Sequence, residues 1–326
     1  MNRWKIFWFN DNNDSFDDFD RVLLIPKSTS RLLIMRLSNR LYHWILMHKI
    51  LFLIISLIGI PMMIYMVLLI LGNNRAFIPS EFQENRYNIL LVVAHPDDEC
   101  LFFAPTLRIL QRQYHQNISL VVFSRGNHRG LGEIRAMELR SSCRALNIPQ
   151  DRCLSLDLPN IQDNPKIWWP EKELIPIIKD YVNKWSIDVL ISFDDRGISG
   201  HLNHRAVGSA VRLLNDNQTN TKIKMSYELK SVSLIRKYSS ILDFYWIFIS
   251  SIPRLLHSLF SCIIPFNLIS SPDKSYILLV NTPNDYMISR NAFASHRTQF
   301  SWDRHLYLLI SRYMFINELK YIDKHV

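Results

Sequence analysis

From Ile50 to Leu71 the chain runs 22 residues without a single charged side chain. A helix of that length spans roughly 30 Å, the thickness of a bilayer's hydrocarbon core. Core helices of soluble proteins rarely run so far without a polar side, and a cleaved signal peptide has a shorter apolar stretch nearer the N-terminus. The run predicts a single transmembrane helix over 49–71, kinked at Pro61. Residues 1–48 read as a disordered, acidic segment (Asp11, Asp14, Asp17, Asp18, Asp20) turning basic at Arg31, Arg36 and Arg40. Residues 72–87 read as a short polar linker.

Residues 88–320 carry a different pattern, in which short β-branched runs alternate with amphipathic stretches. Asn88–Ala94, Ile118–Ser124 and Ile187–Phe193 are near-continuously apolar, as strands buried on both faces are, and Cys153–Leu158 is a weaker strand. Leu101–His115, Glu133–Asn147 and Glu171–Trp185 have helical spacing. The βαβα order predicts an α/β fold with a doubly wound, mostly parallel sheet. Val232–Arg236 and Tyr276–Asn281 read as extensions of the sheet, and two helices near Asp285–Arg297 and Asp303–Asn317 close the domain. Residues 241–271 are almost wholly apolar but contain Pro253, Arg254, His257 and Pro265. They read as an insertion lying at a membrane interface, with a core insertion as the alternative.

The net charge is +9, from 38 Lys+Arg against 29 Asp+Glu. That excess suits anionic lipid headgroups or nucleic acid. With no aromatic-interleaved basic stripe and no nucleic-acid motif, the expected partner is a membrane. The four cysteines, Cys100, Cys143, Cys153 and Cys262, form no CxxC pair and no dense cluster, which points to reduced thiols rather than a Cys143–Cys153 bridge.

Chemistry concentrates at two strand ends. The first strand runs into Ala94-His95-Pro96-Asp97-Asp98-Glu99, one imidazole beside three carboxylates. Helix capping accounts for one acid there, not for all three with a histidine; a buried cluster of like charges calls for a cation or a shared proton. The second cluster, Asp194 to His204, follows a later strand and sets His201 and His204 three residues apart beside a glycine loop. Alone, HxxH is weak; paired with HPDD on another parallel strand it completes an imidazole–carboxylate set suited to a divalent metal, Zn²⁺ above all. Such a site with a spare carboxylate fits metal-assisted amide hydrolysis. The glycines of Gly126–Gly132 match no nucleotide-binding spacing, and no GxSxG occurs.

The strings LLVVAHPDDECLFFAPT (90–106), FSRGNHRGLGEIRAMELRSSCRALNIP (123–149), SGHLNHRAV (199–207), SVSLIRKYSSILD (231–243) and SHRTQFSWDRHLYLLISRYMFIN (295–317) resemble the PIG-L/LmbE-like deacetylase superfamily, in its eukaryotic PIG-L branch. The resemblance implies an LmbE-like fold and removal of the acetyl group from N-acetylglucosaminyl-phosphatidylinositol in GPI-anchor biosynthesis. It implies His95, Asp98 and His204 as metal ligands, Asp97 as general base, and His201 as an imidazolium stabilising the oxyanion. Asn203 stands where many bacterial members have Asp, which leaves Asp194 as a candidate to set the histidine's charge. Arg135, Asp194, His296, Arg297 and Gln299 are expected on the substrate side, and His128 and Arg129 are candidates to meet the phosphate. Rival readings are a deacetylase of a soluble N-acetylglucosaminyl conjugate and a non-catalytic membrane scaffold of the same fold.

Location divides the arguments. Arg31, Arg36, Arg40 and Lys49 precede the span while Arg75 and Arg86 follow it, a mild bias toward a lumenal domain. The resemblance implies an endoplasmic reticulum membrane protein facing the cytosol, and the cysteine pattern sides with it.

Overall fold

The computed structural model describes residues 27–72, 77–216, 222–261 and 276–323. The chain divides into two compact units, one through Ile60 and one from Pro61 onward. The first contains helix α1 (Lys27–Ile54) and a π-helical turn, Ile55–Gly59. Helix α2 (Ile60–Gly72) follows. The π turn ends just before Pro61, whose ring cannot donate a backbone hydrogen bond and crowds the preceding turn, so helical geometry is disturbed there. Arg31–Ile70 forms one helical stretch long and apolar enough to cross a membrane. The helix already begins at Lys27, ahead of the predicted span. The leucines and arginines of 31–41 are good helix formers and continue it.

The second unit contains, in order, α3 (Ser80–Glu84), β1 (Asn88–Val93), α4 (Asp98–Leu101), α5 (Ala104–Arg112), β2 (Asn117–Val122), α6 (Gly132–Ala145), β3 (Cys153–Ser155), α7 (Glu171–Lys184), β4 (Val189–Phe193), α8 (Gly197–Gly200), α9 (Leu202–Asp216) and β5 (Met225–Leu229). After these come α10 (Leu234–Lys237), α11 (Ser240–Ser261), β6 (Tyr276–Val280), α12 (Pro283–Ala294), α13 (Trp302–Ile310) and β7 (Ile316–Tyr321). The strands form a seven-stranded sheet in the order β3-β2-β1-β4-β5-β7-β6. The first five run parallel; β7 is antiparallel to both β5 and β6.

Side-chain alternation along β1 explains why both faces are covered. Ile89, Leu91 and Val93 pack with residues of α5, α6, α12 and α13 on one face. Leu90, Val92 and Ala94 pack with α7 and α9 on the other. With both faces dry, each strand reads as a continuous apolar run, and every such buried aliphatic side chain contributes about 1.5–3 kcal/mol. Strand order reverses between β1 and β4, so the loops leaving these two strands open a crevice at their carboxyl ends.

Several expectations change. The segment 72–87 is no polar linker in its described part: Phe77, Ile78 and Phe82 are buried. Phe77 joins Ile64, Tyr65 and Leu68 of α2 in a third cluster with Phe244, Ile247, Leu278 and Ile316, so the end of the apolar run is docked on the domain. Residues 240–261 form one helix, with Phe244 and Ile247 buried and Trp246 and Ile249 exposed; the rest of the expected insertion, 262–271, lies outside the described residues. Val232–Arg236 leads into α10 rather than forming a strand, and β5 takes its place in the sheet. The last helix stops at Ile310, and β7 begins at Ile316. Cys143 and Cys153 form a disulfide, against the expectation of reduced thiols, because the turn from α6 into β3 brings the two Cα atoms to 6.4 Å. Cys100 is free and buried, and Cys262 lies outside the described residues.

Candidate active site

The β1 loop is built around Asp98. Its Oδ2 accepts hydrogen bonds from the backbone N–H groups of Ala94 (3.1 Å) and His95 (2.8 Å), folding the loop back over the strand end. Asp98 Oδ1 then lies 3.3 Å from His204 Nε2. His95 Nδ1 is 3.2 Å from the same nitrogen and 3.8 Å from Asp98 Oδ2. Four-coordinate zinc, with ligands at about 2.0–2.1 Å, holds tetrahedral donors roughly 3.3 Å apart. Asp98 and the two imidazoles thus lie close together, and His95, His201 and His204 each bring a ring nitrogen within 4.8 Å of the others, a grouping able to hold a metal ion.

Their proton arrangement also fits. His95 Nε2 faces Asp163 Oδ1 at 3.1 Å and Asn203 Oδ1 at 3.2 Å, both acceptors, which puts the ring proton on Nε2 and leaves the Nδ1 lone pair facing the site. His204 Nδ1 faces the Gly197 carbonyl at 3.1 Å, which leaves Nε2 free in the same way. Partners of this kind orient metal-binding imidazoles. Asn203 keeps its amide in register by donating to Ile167 O at 2.9 Å. The carboxylate that the HxxH motif lacks is therefore supplied by Asp163, from the β3–α7 loop, and its effect falls on His95.

Asp194 is not on the substrate side. Its carboxylate is buried and accepts from the backbone N–H groups of Arg196, Gly197 and Ser231 and from the Ser231 hydroxyl. It shapes the loop whose Gly197 carbonyl holds His204. Gly197 is at φ 57°, and a Cβ there would lie 2.8 Å from His204 Cβ, so the close approach requires glycine.

Asp97 sits in the left-handed region at φ 110°, costly for a residue with a side chain. Its N–H donates to Glu99 Oε2 at 3.0 Å. Burial, reinforced by the charge of Asp98, raises its pKa to about 6 although Arg135 opposes the shift. Arg135 NH2 lies 3.7 Å from Asp97 and donates to Pro96 O at 2.6 Å; NH1 donates to Gly126 O at 2.9 Å and lies 3.7 Å from Asp163. Its guanidinium clamps the loops that carry Asp97 and Asp163, leaving little of it for substrate. His201 packs 4.8 Å, ring to ring, from both His95 and His204. Burial and these neighbours push its pKa down to about 4, so the free protein carries a neutral ring at pH 7 rather than the expected imidazolium.

His296 is likewise not at the substrate. It is fully buried behind the loop, its Nε2 2.7 Å from Glu99 Oε1. Glu99 Oε1 also accepts from Ser142 Oγ at 2.6 Å and Cys100 Sγ at 2.8 Å. Burial favours the neutral carboxyl, but His296 and these donors outweigh it and hold Glu99 below the ordinary carboxylate range. Arg297 is exposed and does not line the cavity, whereas Thr298 and Gln299 do. A cavity of about 600 Å³ opens over the site, lined by His95, Asp97, Asp98, His201 and His204 and also by His128, Arg129 and Arg135.

Residues 90–214 match the family model described as PIG-L, GlcNAc-PI de-N-acetylase. The chain is 36% identical over 233 residues to the Bos taurus N-acetylglucosaminyl-phosphatidylinositol de-N-acetylase, covering 72% of this chain and 83% of the bovine one. This chain belongs to the PIG-L family. Another relative, the Saccharomyces cerevisiae N-acetylglucosaminyl-phosphatidylinositol de-N-acetylase, is 31% identical over 276 residues, with 78% of this chain and 88% of that one covered. A Dictyostelium discoideum protein named as a probable enzyme of the same kind is 31% identical, covering 71% of this chain and 92% of its own length. The PIG-L match takes in both strand-end loops, from Ala94 through His204.

Proposed function

We propose that this protein hydrolyses the N-acetyl group of N-acetylglucosaminyl-phosphatidylinositol, giving glucosaminyl-phosphatidylinositol and acetate. The observation that carries the reading is the convergence of His95, Asp98 and His204, with both imidazole tautomers fixed, inside a chain 36% identical to a relative named for that activity. His95, Asp98 and His204 would hold a divalent metal, Zn²⁺ by this donor set, which when bound supplies Lewis acidity toward the amide carbonyl and toward water.

The chain's own groups do the proton work. Asp97 takes a proton from the attacking water, a task that suits a carboxylate with a pKa near 6. As the water oxygen bonds to the acetyl carbon, the His201 N–H donates to the carbonyl oxygen on which negative charge grows. The carbon–nitrogen bond then breaks, and Asp97 delivers its proton to the departing amine. Arg135 holds Asp97 in place throughout.

We place the protein in the endoplasmic reticulum membrane, single-pass through the Arg31–Ile70 helix, with its catalytic domain toward the cytosol, where the PIG-L resemblance puts the substrate. The Cys143–Cys153 bridge removes the cysteine argument for that side, so orientation rests on the family alone. The deciding assay compares acetate release from N-acetylglucosaminyl-phosphatidylinositol and from a water-soluble N-acetylglucosaminyl conjugate. Preference for the soluble conjugate would overturn the assignment.

A further inference from the structure

The cavity wall also carries two cations that the hydrolytic step does not use. Lys237, at the end of α10, is 3% exposed and lines the cavity. Among the described residues its ammonium has no carboxylate within ion-pair distance and no hydrogen-bond acceptor. Its neighbours are the faces of Phe102 and Tyr238, 5.5 and 5.2 Å from ring centroid to Nζ. Arg304, in the first turn of α13, lines the same cavity, and its carboxylate neighbour is Asp303, at 4.0 Å.

Lysine is almost never fully buried without a partner. Aromatic faces attract a cation, but more weakly than a carboxylate does, and they do not explain why a second cation shares this wall. Burial and then Arg304 push the Lys237 pKa down to about 8, which leaves the ammonium mostly charged at pH 7 with nothing to neutralise it. A wall like this lacks an anion. We infer that Lys237 and Arg304 form a subsite for the phosphodiester of the substrate, an assignment that rests on the deacetylase reading above.

Position and chemistry agree. Phe102, under Lys237, also meets the His204 ring edge-on at 5.8 Å, so a single aromatic ring separates the cation from the hydrolytic centre. A sugar bound in the cavity across that ring would set its amide at the hydrolytic centre and its phosphate at the cations. A compact ammonium beside a guanidinium suits a phosphate oxyanion. The outer faces of the same two helices are apolar: Leu234 is 71%, Ile235 77% and Trp302 80% exposed. These side chains have no use for a free phosphate, but they suit the acyl chains or bilayer surface that accompany a lipid phosphodiester. His128 and Arg129, the phosphate candidates on sequence, also line the cavity but are exposed.

The full-length enzyme in detergent micelles tests the subsite with Lys237→Met, which keeps length and burial, and with Arg304→Gln, on a more exposed residue, should the first fail to fold. The readout is the ratio of kcat/KM for N-acetylglucosaminyl-phosphatidylinositol to that for phosphate-free N-acetylglucosaminyl-inositol. Losing one charge-assisted contact lowers this ratio about tenfold or more, mainly through KM. An unchanged ratio, whether both substrates suffer equally or neither does, overturns the proposal. If the wild type cleaves neither substrate, the functional reading fails, but calorimetry with glycerophosphoinositol still decides the subsite. Binding about tenfold weaker in Lys237→Met supports it, and equal binding overturns it. Inorganic phosphate binding as tightly as the diester would assign the wall to free phosphate and overturn the lipid assignment.

Discussion

His296→Leu tests the view that the catalytic loop is held by a buried ion pair. His296 and Glu99 meet at 2.7 Å, and neither is exposed to solvent. Leucine roughly keeps the volume while removing the positive charge and the donor. Glu99 would remain buried with three neutral donors: Ser142 Oγ, Cys100 Sγ and the Asp97 N–H. Removing one partner of a buried pair costs about 3–5 kcal/mol. The surviving donors, one of them a weak thiol, set the expectation at the lower end, about 3 kcal/mol. For a domain of this size each 1 kcal/mol moves Tm by about 2–4 °C, so the predicted drop is about 6–12 °C. In a Glu99→Gln background no charge is stranded, and the same substitution should cost about 1 kcal/mol, or about 2–4 °C. Thermal melts of the detergent-solubilised protein, followed by the fluorescence of its 8 tryptophans, measure all four corners of the cycle. An equal drop in both backgrounds would mean that His296 acts through packing, and the ion-pair argument would be wrong.

Asp97→Asn should retain metal yet lose turnover by about a hundredfold or more, whereas Asp163→Ala should weaken metal affinity by about 10–100-fold in chelator competition. Normal turnover in the first, or normal affinity in the second, contradicts the roles assigned here. Burial acts to raise the pKa of Glu318, but Arg312 and Lys230 hold it below the usual carboxylate range. A lowered folded pKa contributes stability above the unfolded value of about 4.3 and loses it as pH falls through the folded one. Glu318→Gln should therefore flatten the acid limb of a Tm–pH curve, and parallel limbs would refute this. Asn217-Gln-Thr is a glycosylation sequon that falls outside the described residues. A cytosolic domain leaves it unmodified, and an endoglycosidase-sensitive mass shift lost in Asn217→Gln would place the domain in the lumen.

The meeting of the HPDD and HxxH clusters was legible because each sits within a few residues of a strand end, and parallel sheets gather such loops at one crevice. Asp163 was not, because it reaches His95 from a loop with no periodicity and no spacing to either motif. His296 and Asp194 were misplaced for a related reason. A polar side chain near a site looks the same in sequence whether it faces the cavity or supports it from behind. In the sheet, the apolar strands β1, β2 and β4 stood out. β5 and β7 did not, since Ser226, Glu228, Glu318 and Lys320 break their apolar pattern. Glu228 is buried all the same, through ion pairs with Arg212 and Lys320 that cross between helix, strand and strand.

The placing of β7 between β5 and β6 bears on how the polypeptide matures. β6 precedes β7 in the chain yet reaches the sheet only through it. Until residues 316–321 emerge from the ribosome, β5 presents an open edge and β6 has no strand to pair with. The parallel half, β1 to β5, can assemble while synthesis continues, but the two-stranded antiparallel flap closes in one late step. During that interval the apolar strand Tyr276–Val280 and the cluster around Phe77 and Phe244 lack Ile316. Such unpaired edges invite aggregation. A nascent chain stalled shortly before Ile316 is therefore the form of this protein that most needs a chaperone.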